Sequence, residues 1–245
     1  RPDTTLVSIM AVNNEIGSIQ PIEAISKLLA DKPTTSFHVD AVQALAKIPT
    51  ENYLTDRVDF ATFSSHKFHG VRGVGFVYIK SGKRIMPLLT GGGQEGDYRS
   101  TTENVAGIAA TAKALRLSME KLAVFTSKTG QMKAVIRQAL LDYPDIFVFS
   151  DEEDFAPHIL TFGIKGVRGE VIVHAFEDYD IFISTTSACS SKAGKPAGTL
   201  IAMGVDKDKA QSAVRLSLDL ENDMSQVEQF LTKLKLIYNQ TRKVR

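Results

Sequence analysis

The chain has 245 residues, enough for one large domain or two smaller ones. Hydrophobic residues make up 43% and charged residues 23%, while 29 Lys+Arg against 28 Asp+Glu leave a formal net charge of +1; this excludes a basic excess that would drive direct nucleic-acid or membrane-surface binding. The single cysteine excludes a disulfide framework and suits a reducing compartment, and no apolar stretch reaches the roughly 20 residues of a bilayer span, so the expectation is a soluble cytoplasmic enzyme.

The chain opens on Arg1-Pro2-Asp3 with no leader pattern, and Leu6-Val7-Ser8-Ile9-Met10 reads as a buried strand almost at once, as if the sequence started partway through a domain. Leu6 to Val12 is the first predicted strand. A helix follows from Pro21 with Ile22, Ile25, Leu28 and Leu29 on one face. Ser36 to Asp40 is a second strand, Val58 to Phe63 a third, and Gly73 to Ile79 a fourth after a glycine-rich turn. Strands alternating with helical patterns predict an α/β sheet with parallel neighbours, whose ligands sit beyond the carboxyl ends of the strands. Asn13-Asn14-Glu15, Asp40 and Ser64-Ser65-His66-Lys67 all fall at that edge.

From about Val105, apolar residues at Ile108, Ala112, Leu115, Met119 and Leu122 predict a long amphipathic helix that leads into a second domain. Behind it come another helix (Met132, Val135, Ile136, Leu140), strands at Ile146 to Phe149 and Ile159 to Gly163, and a helix at Val171 to Phe176. Strands at Ile181 to Thr185 and Val214 to Leu218 follow, then a last helix opened by the capping box Ser225-x-x-Glu228 and burying Val227, Phe230, Leu231, Leu234 and Ile237. The predicted division is 1–115, part of a large domain, and 116–245, a smaller α+β domain.

Several residues suggest chemistry. Lys67, at a sheet mouth among hydroxyls and imidazoles, suits a Schiff-base amine for a group such as pyridoxal phosphate, or is a surface lysine in a loop. His66 and His69 with Asp40 form an alternative metal set. Asp40 suits a protonated ring nitrogen, or is a helix N-cap. Gly91-Gly92-Gly93-Gln94-Glu95-Gly96 lacks the ending of a nucleotide P-loop and reads as a flexible turn, with Arg99 to Asn104 offering an arginine and hydroxyls to a phosphate beyond it. Cys189 lies among small polar residues with Lys192 and Lys195 nearby, which favours a thiolate on a mobile loop over a buried structural cysteine, an exposed inert thiol being the alternative. Arg215 interrupts an alternating strand, which fits either a bidentate fork for a substrate carboxylate or an internal ion pair.

These residues together resemble the cysteine desulfurases with a long catalytic-cysteine loop, within the class V aminotransferase family. The matching stretches are Ser8 to Gly17, His38-Val39-Asp40-Ala41-Val42-Gln43, Ser64-Ser65-His66-Lys67, Ser187-Ala188-Cys189-Ser190 and the Arg215 strand. The resemblance implies a fold-type I pyridoxal-phosphate (PLP) transferase fold, of which this chain is the C-terminal portion of the large parallel-sheet domain plus the small α+β domain. It implies Lys67 as the cofactor lysine, Asp40 on the ring nitrogen, Gln43 on the ring hydroxyl, and Ser64 and His66 on the phosphate, with Thr102 reaching across from the partner of a homodimer. Asn14 and Arg215 are implied for the substrate carboxylate, and Cys189 for attack on the sulfur of L-cysteine, leaving L-alanine and a persulfide that passes to an iron–sulfur scaffold or a tRNA-thiolation enzyme. Where the family usually reads Gln-Glu-Arg-Gly-x-Arg-x-Gly-Thr, this chain has Gln94-Glu95-Gly96-Asp97-Tyr98-Arg99-Ser100-Thr101-Thr102, and Asp219 stands where a glycine is common. The family also has a region ahead of Arg1, so this chain alone is expected to bind PLP poorly and turn over little. Other readings are an aminotransferase or selenocysteine lyase of the same fold, and a non-catalytic partner using Cys189 as a persulfide relay.

Overall fold

A computed structural model describes residues 1–150, 153–186 and 198–243, in two compact units: Arg1–Ala11 with Gln20–Leu122, and Val12–Ile19 with Ala123–Arg245.

Unit 1 is built on a four-stranded sheet in the order β1 (Leu6–Met10), β2 (Ser36–Asp40), β3 (Phe60–Ser64), β4 (Gly75–Ile79). The first three strands run parallel, as expected, with Met10 opposite Asp40 and Asp40 opposite Thr62. β4 departs from that expectation and is antiparallel to β3. Only a short turn separates these two strands, too little chain for the crossover a parallel neighbour requires. Phe37, Val39, Ala61 and Phe63 are buried, and Phe76 of β4 stacks on Phe63 with ring centroids 4.6 Å apart.

The amino ends of the strands are fastened by one buried carboxylate. Asp59 accepts from Phe37 N–H at 2.9 Å and from Arg57 Nη1 at 2.8 Å, and Lys83 Nζ lies 3.2 Å away. Arg57 also donates to the carbonyls of Leu29, Lys32 and Thr35. Burial alone would raise the Asp59 carboxyl, but these donors outweigh it and hold it below the ordinary carboxylate range.

Helix α1 (Ile22–Leu28) buries Ile22 and Ser26, whereas Leu28 of the predicted face is 75% exposed. Helix α2 (Val105–Glu120) also turns a different face inward: Gly107 and Thr111 are buried while Ile108, Ala112 and Met119 are exposed. Its neighbour is a tight turn that small and hydroxyl-bearing residues can approach closely and hydrogen-bond, which explains why the apolar stripe does not decide the face.

Unit 2 holds an antiparallel sheet in the order β5 (Ile146–Val148), β6 (Ile159–Ile164), β8 (Ala213–Ser217), β7 (Ser184–Thr185). β7 keeps only two residues of the predicted Ile181 to Thr185 strand. All six residues of β6 are buried. Helices α3 (Leu122–Leu141), α4 (Gly169–Glu177) and α7 (Met224–Lys243) share a core with this sheet, centred on Phe230, which stacks on Phe176 at 4.9 Å. The short helices α5 (Gly198–Ala202) and α6 (Lys207–Gln211) contribute Leu200 and Ala210 to a smaller cluster with Ile16.

The cap of α7 lies two residues before the predicted Ser225. Asp223 Oδ1 accepts from Gln226 N–H at 3.0 Å, and Gln226 Oε1 accepts from Asp223 N–H at 3.2 Å, so the capping box is Asp223-x-x-Gln226. Among the described residues, no helix is long and apolar enough to cross a membrane.

Candidate active site

In unit 1 the three parallel strands end at one edge, where β2 delivers Asp40 and β3 delivers Ser64. A 3-10 turn, Ser65–Phe68, follows directly and carries His66 and Lys67. The turn is pinned at both ends. Ser65 is fully buried with its hydroxyl 2.9 Å from that of Thr111 on α2, and Phe68 is buried with its carbonyl accepting from Ser118 Oγ at 3.1 Å. Gly70 closes the turn because a Cβ there would lie 1.9 Å from Ser65 Oγ. With Ser65 and Phe68 locked inward, His66 is exposed and Lys67 half-buried at the sheet edge.

The polar residues of this unit sort by whether they have internal partners. His38 bridges Ser8 Oγ at 2.7 Å and Thr62 Oγ1 at 3.1 Å, tying the three parallel strands together. Burial lowers its pKa, against an opposing pull from the Asp40 charge, so the neutral ring is favoured. Asn104 caps α2 by accepting from Gly107 N–H at 3.0 Å. Among the described residues, by contrast, the side chains of Gln43, Ser64, His66 and Lys67 have no hydrogen-bond or ion-pair partner, and the Asp40 carboxylate accepts only from Val42 N–H at 3.0 Å. His38 is the residue here that sequence reasoning did not single out as functional. Its signal was its position two residues before Asp40, on the same face of β2.

This donor set fits PLP. A carboxylate with an uncommitted oxygen suits a protonated ring nitrogen, an amide suits a ring hydroxyl, a hydroxyl and an imidazole suit a phosphate, and an unpaired amine suits an aldehyde. Among the described residues, no three His, Cys, Asp or Glu side chains, His66, His69 and Asp40 included, are placed together to hold a metal ion.

The glycine-rich segment is more sharply shaped than a flexible turn. Gln94–Asp97 forms a 3-10 turn preceded by Gly93 at φ 82°, and within it Glu95, Gly96 and Asp97 have φ of 52°, 62° and 69°. Asp97 thus takes a left-handed conformation where the resembled pattern has a glycine, which aspartate tolerates better than most residues. Thr102 is exposed two residues before the α2 cap, and no hydrogen bond joins it to Ser64, His66 or Lys67.

Asn14 and Arg215 come together within unit 2, where Arg215 Nη1 donates to Asn14 O at 2.7 Å. The turn that carries Asn14 is organised by its neighbour Asn13, whose buried Oδ1 accepts from Glu15 N–H at 2.8 Å and Ile16 N–H at 3.0 Å. Gly17 completes it with φ +83°, and a Cβ there would meet Ile159 Cβ at 2.9 Å. Asn14 itself is exposed. Cys189, Lys192 and Lys195 lie outside the described residues.

Residues 1–230 match the family described as Aminotransferase class-V. A "NifS/IcsS protein homolog" from Lactobacillus delbrueckii subsp. bulgaricus is 51% identical over 243 residues, 99% of this chain and 63% of that protein. "Cysteine desulfurase IscS" from Clostridium botulinum is 36% identical over 246 residues, 99% of this chain and 61% of that protein. Among solved structures, a "NifS-like protein" superposes with a TM-score of 0.87 at 38% identity, covering 97% of this chain and 62% of that one. The chain therefore spans 61–63% of the length of these two curated relatives.

Proposed function

The chain belongs to the class V aminotransferase family, and on that premise we propose that it carries the cofactor-binding and sulfur-accepting residues of a PLP-dependent cysteine desulfurase. Its α/β fold is that of the NifS-like fold-type I enzymes. The observation that carries the proposal furthest is the group of unpartnered polar side chains at the parallel-strand edge, where Asp40, Ser64 and the pinned Lys67 turn supply the donors PLP needs.

Asp40 pairs with the pyridinium nitrogen, Gln43 with the ring hydroxyl, and Ser64 and His66 with the phosphate, joined by Thr102 of the partner subunit in a homodimer. When bound, PLP supplies an electron sink for the pair released at the substrate α-carbon. Lys67 would hold the cofactor covalently and would move the proton at that carbon. Asn14 and Arg215 take the substrate carboxylate, for which a planar guanidinium is suited.

Cys189 accepts the sulfur. The Cβ–S bond of L-cysteine breaks and an S–S bond forms on Cys189 Sγ, so that L-cysteine and one enzyme thiol become L-alanine and one persulfide, with no external oxidant. A sulfur-acceptor protein, an iron–sulfur scaffold or a tRNA-thiolation enzyme, then relieves Cys189. A reducing, cytoplasmic setting suits a chain whose one cysteine must stay reactive.

The test is a single turnover with PLP and L-cysteine, followed by peptide mapping. The expected result is one added sulfur on the Cys189 peptide with an equal amount of alanine, and none on a Cys189→Ala chain. Alanine formed equally well by Cys189→Ala would contradict the assignment.

A further inference from the structure

Three successive carbonyl oxygens of the turn that carries Asn14 are each held by a side chain of the same unit, two from the sheet and one from Ser150, just past β5. Arg215 Nη1 donates to Asn14 O at 2.7 Å, Thr161 Oγ1 to Glu15 O at 2.6 Å, and Ser150 Oγ to Ile16 O at 2.6 Å. The donors are also linked to one another. Thr161 on β6 is the cross-strand partner of Arg215 on β8, and its N–H donates to Ser150 Oγ at 2.9 Å. Ser150 and Thr161 are completely buried, whereas Asn14 is exposed.

Asn14 is exposed, but Asn13, Ile16 and Gly17 are buried, so the carbonyls of this turn must find partners inside the protein. Two buried hydroxyls supply them. At Thr161 a valine would fill the same space and suit a fully buried strand at least as well, so the hydroxyl serves the turn rather than the core. Its bond to Glu15 O, one residue from the carbonyl that Arg215 grips, fixes the height of Asn14 above the β6–β8 ladder and the direction from which the guanidinium meets it.

We propose that Ser150 and Thr161 are positioning residues that set the Asn14–Arg215 pair for a substrate carboxylate without touching the substrate. This rests on the reading of Asn14 and Arg215 given above. A guanidinium fork recognises a carboxylate through geometry as well as charge, so a loosened turn weakens binding even though every charge remains.

The experiment compares the 245-residue chain, loaded with PLP, with its Thr161→Val, Thr161→Ser, Ser150→Ala and Arg215→Lys variants. Two quantities are read: the affinity for L-alanine, which presents the same carboxylate without a thiol, and amide hydrogen exchange over residues 13–17. Thr161→Val is expected to speed exchange of the Glu15 and Ile16 amides and to weaken L-alanine binding about tenfold, the scale of one lost hydrogen bond. Ser150→Ala is expected to follow it, Thr161→Ser to restore both readings, and amides of the β6–β8 ladder to stay protected. Unchanged exchange, or faster exchange with unchanged affinity, overturns the proposal while Arg215→Lys still loses binding. A wild-type chain that carries PLP yet does not bind L-alanine, or an Arg215→Lys chain that binds it normally, overturns the carboxylate reading itself and the proposal with it.

Discussion

Each unit holds a four-stranded sheet, but the two sheets use their polar residues in opposite ways. The parallel strands of unit 1 end together and leave Asp40, Ser64 and the Lys67 turn at one edge, with Gln43, Ser64, His66 and Lys67 unpartnered among the described residues. The antiparallel sheet of unit 2 has its strand ends at both edges and commits Thr161, Arg215 and the adjoining Ser150 to the carbonyls of one turn. Strand direction thus gathers open groups in one unit, while hydrogen bonding holds a segment in the other. In unit 1 a polar side chain held by internal partners builds the scaffold and one without is open to a ligand, whereas in unit 2 Arg215 both holds the turn and is proposed for the substrate carboxylate.

The sharpest way to break this distinction is at the base of unit 1. Arg57→Ala leaves the Asp59 carboxylate buried with part of its compensation gone, and should cost about 3–5 kcal/mol in chemical denaturation. Because the native carboxyl sits below its ordinary pKa, its contribution is present above the ordinary carboxylate range and is lost as pH falls through the lowered native value. Asp59→Asn should therefore flatten the acid limb of the stability–pH curve. An unchanged acid limb would show that the network is not what acid dissolves.

The next effect is steric. Gly70→Ala sets a methyl against Ser65 and should cost about 1–3 kcal/mol, and because Ser65 anchors the turn it should also reduce PLP labelling of Lys67. A stable variant that labels normally would show that the turn is not held there.

The smallest effects divide neighbours in sequence. Thr111→Val removes the partner of buried Ser65 and should destabilise by about 1 kcal/mol. Ser64→Ala should change stability by no more than about 0.5 kcal/mol while weakening PLP binding. Equal stability losses at the two sites would erase the difference between scaffold and site residues in unit 1.

Much of unit 1 was legible in the sequence because apolar runs such as Phe37-His38-Val39 end abruptly in a polar residue, which marks both the strand and its functional end. The unit 2 turn was not. Val12, Ile16 and Ile19 extend the apolar pattern of β1, and the hydroxyls that hold the turn lie 134 and 146 residues further along, beyond any local signal. Periodicity does not give the buried face of α2 because it counts apolar residues, while the inward positions are Thr111, which bonds Ser65, and Gly107, where a Cβ would lie 2.8 Å from Val74 Cγ2. The α7 cap was displaced because Asp223-x-x-Gln226 and Ser225-x-x-Glu228 overlap, and the reciprocal bonds form at the first.

If the edge of unit 1 is a PLP site with Lys67 as its amine, then incubation of the chain with PLP, borohydride reduction and peptide mapping will find the adduct concentrated on Lys67 and lost in Lys67→Ala. Adducts spread over the surface lysines, or a Lys67→Ala chain labelled like the wild type, would show that it is not.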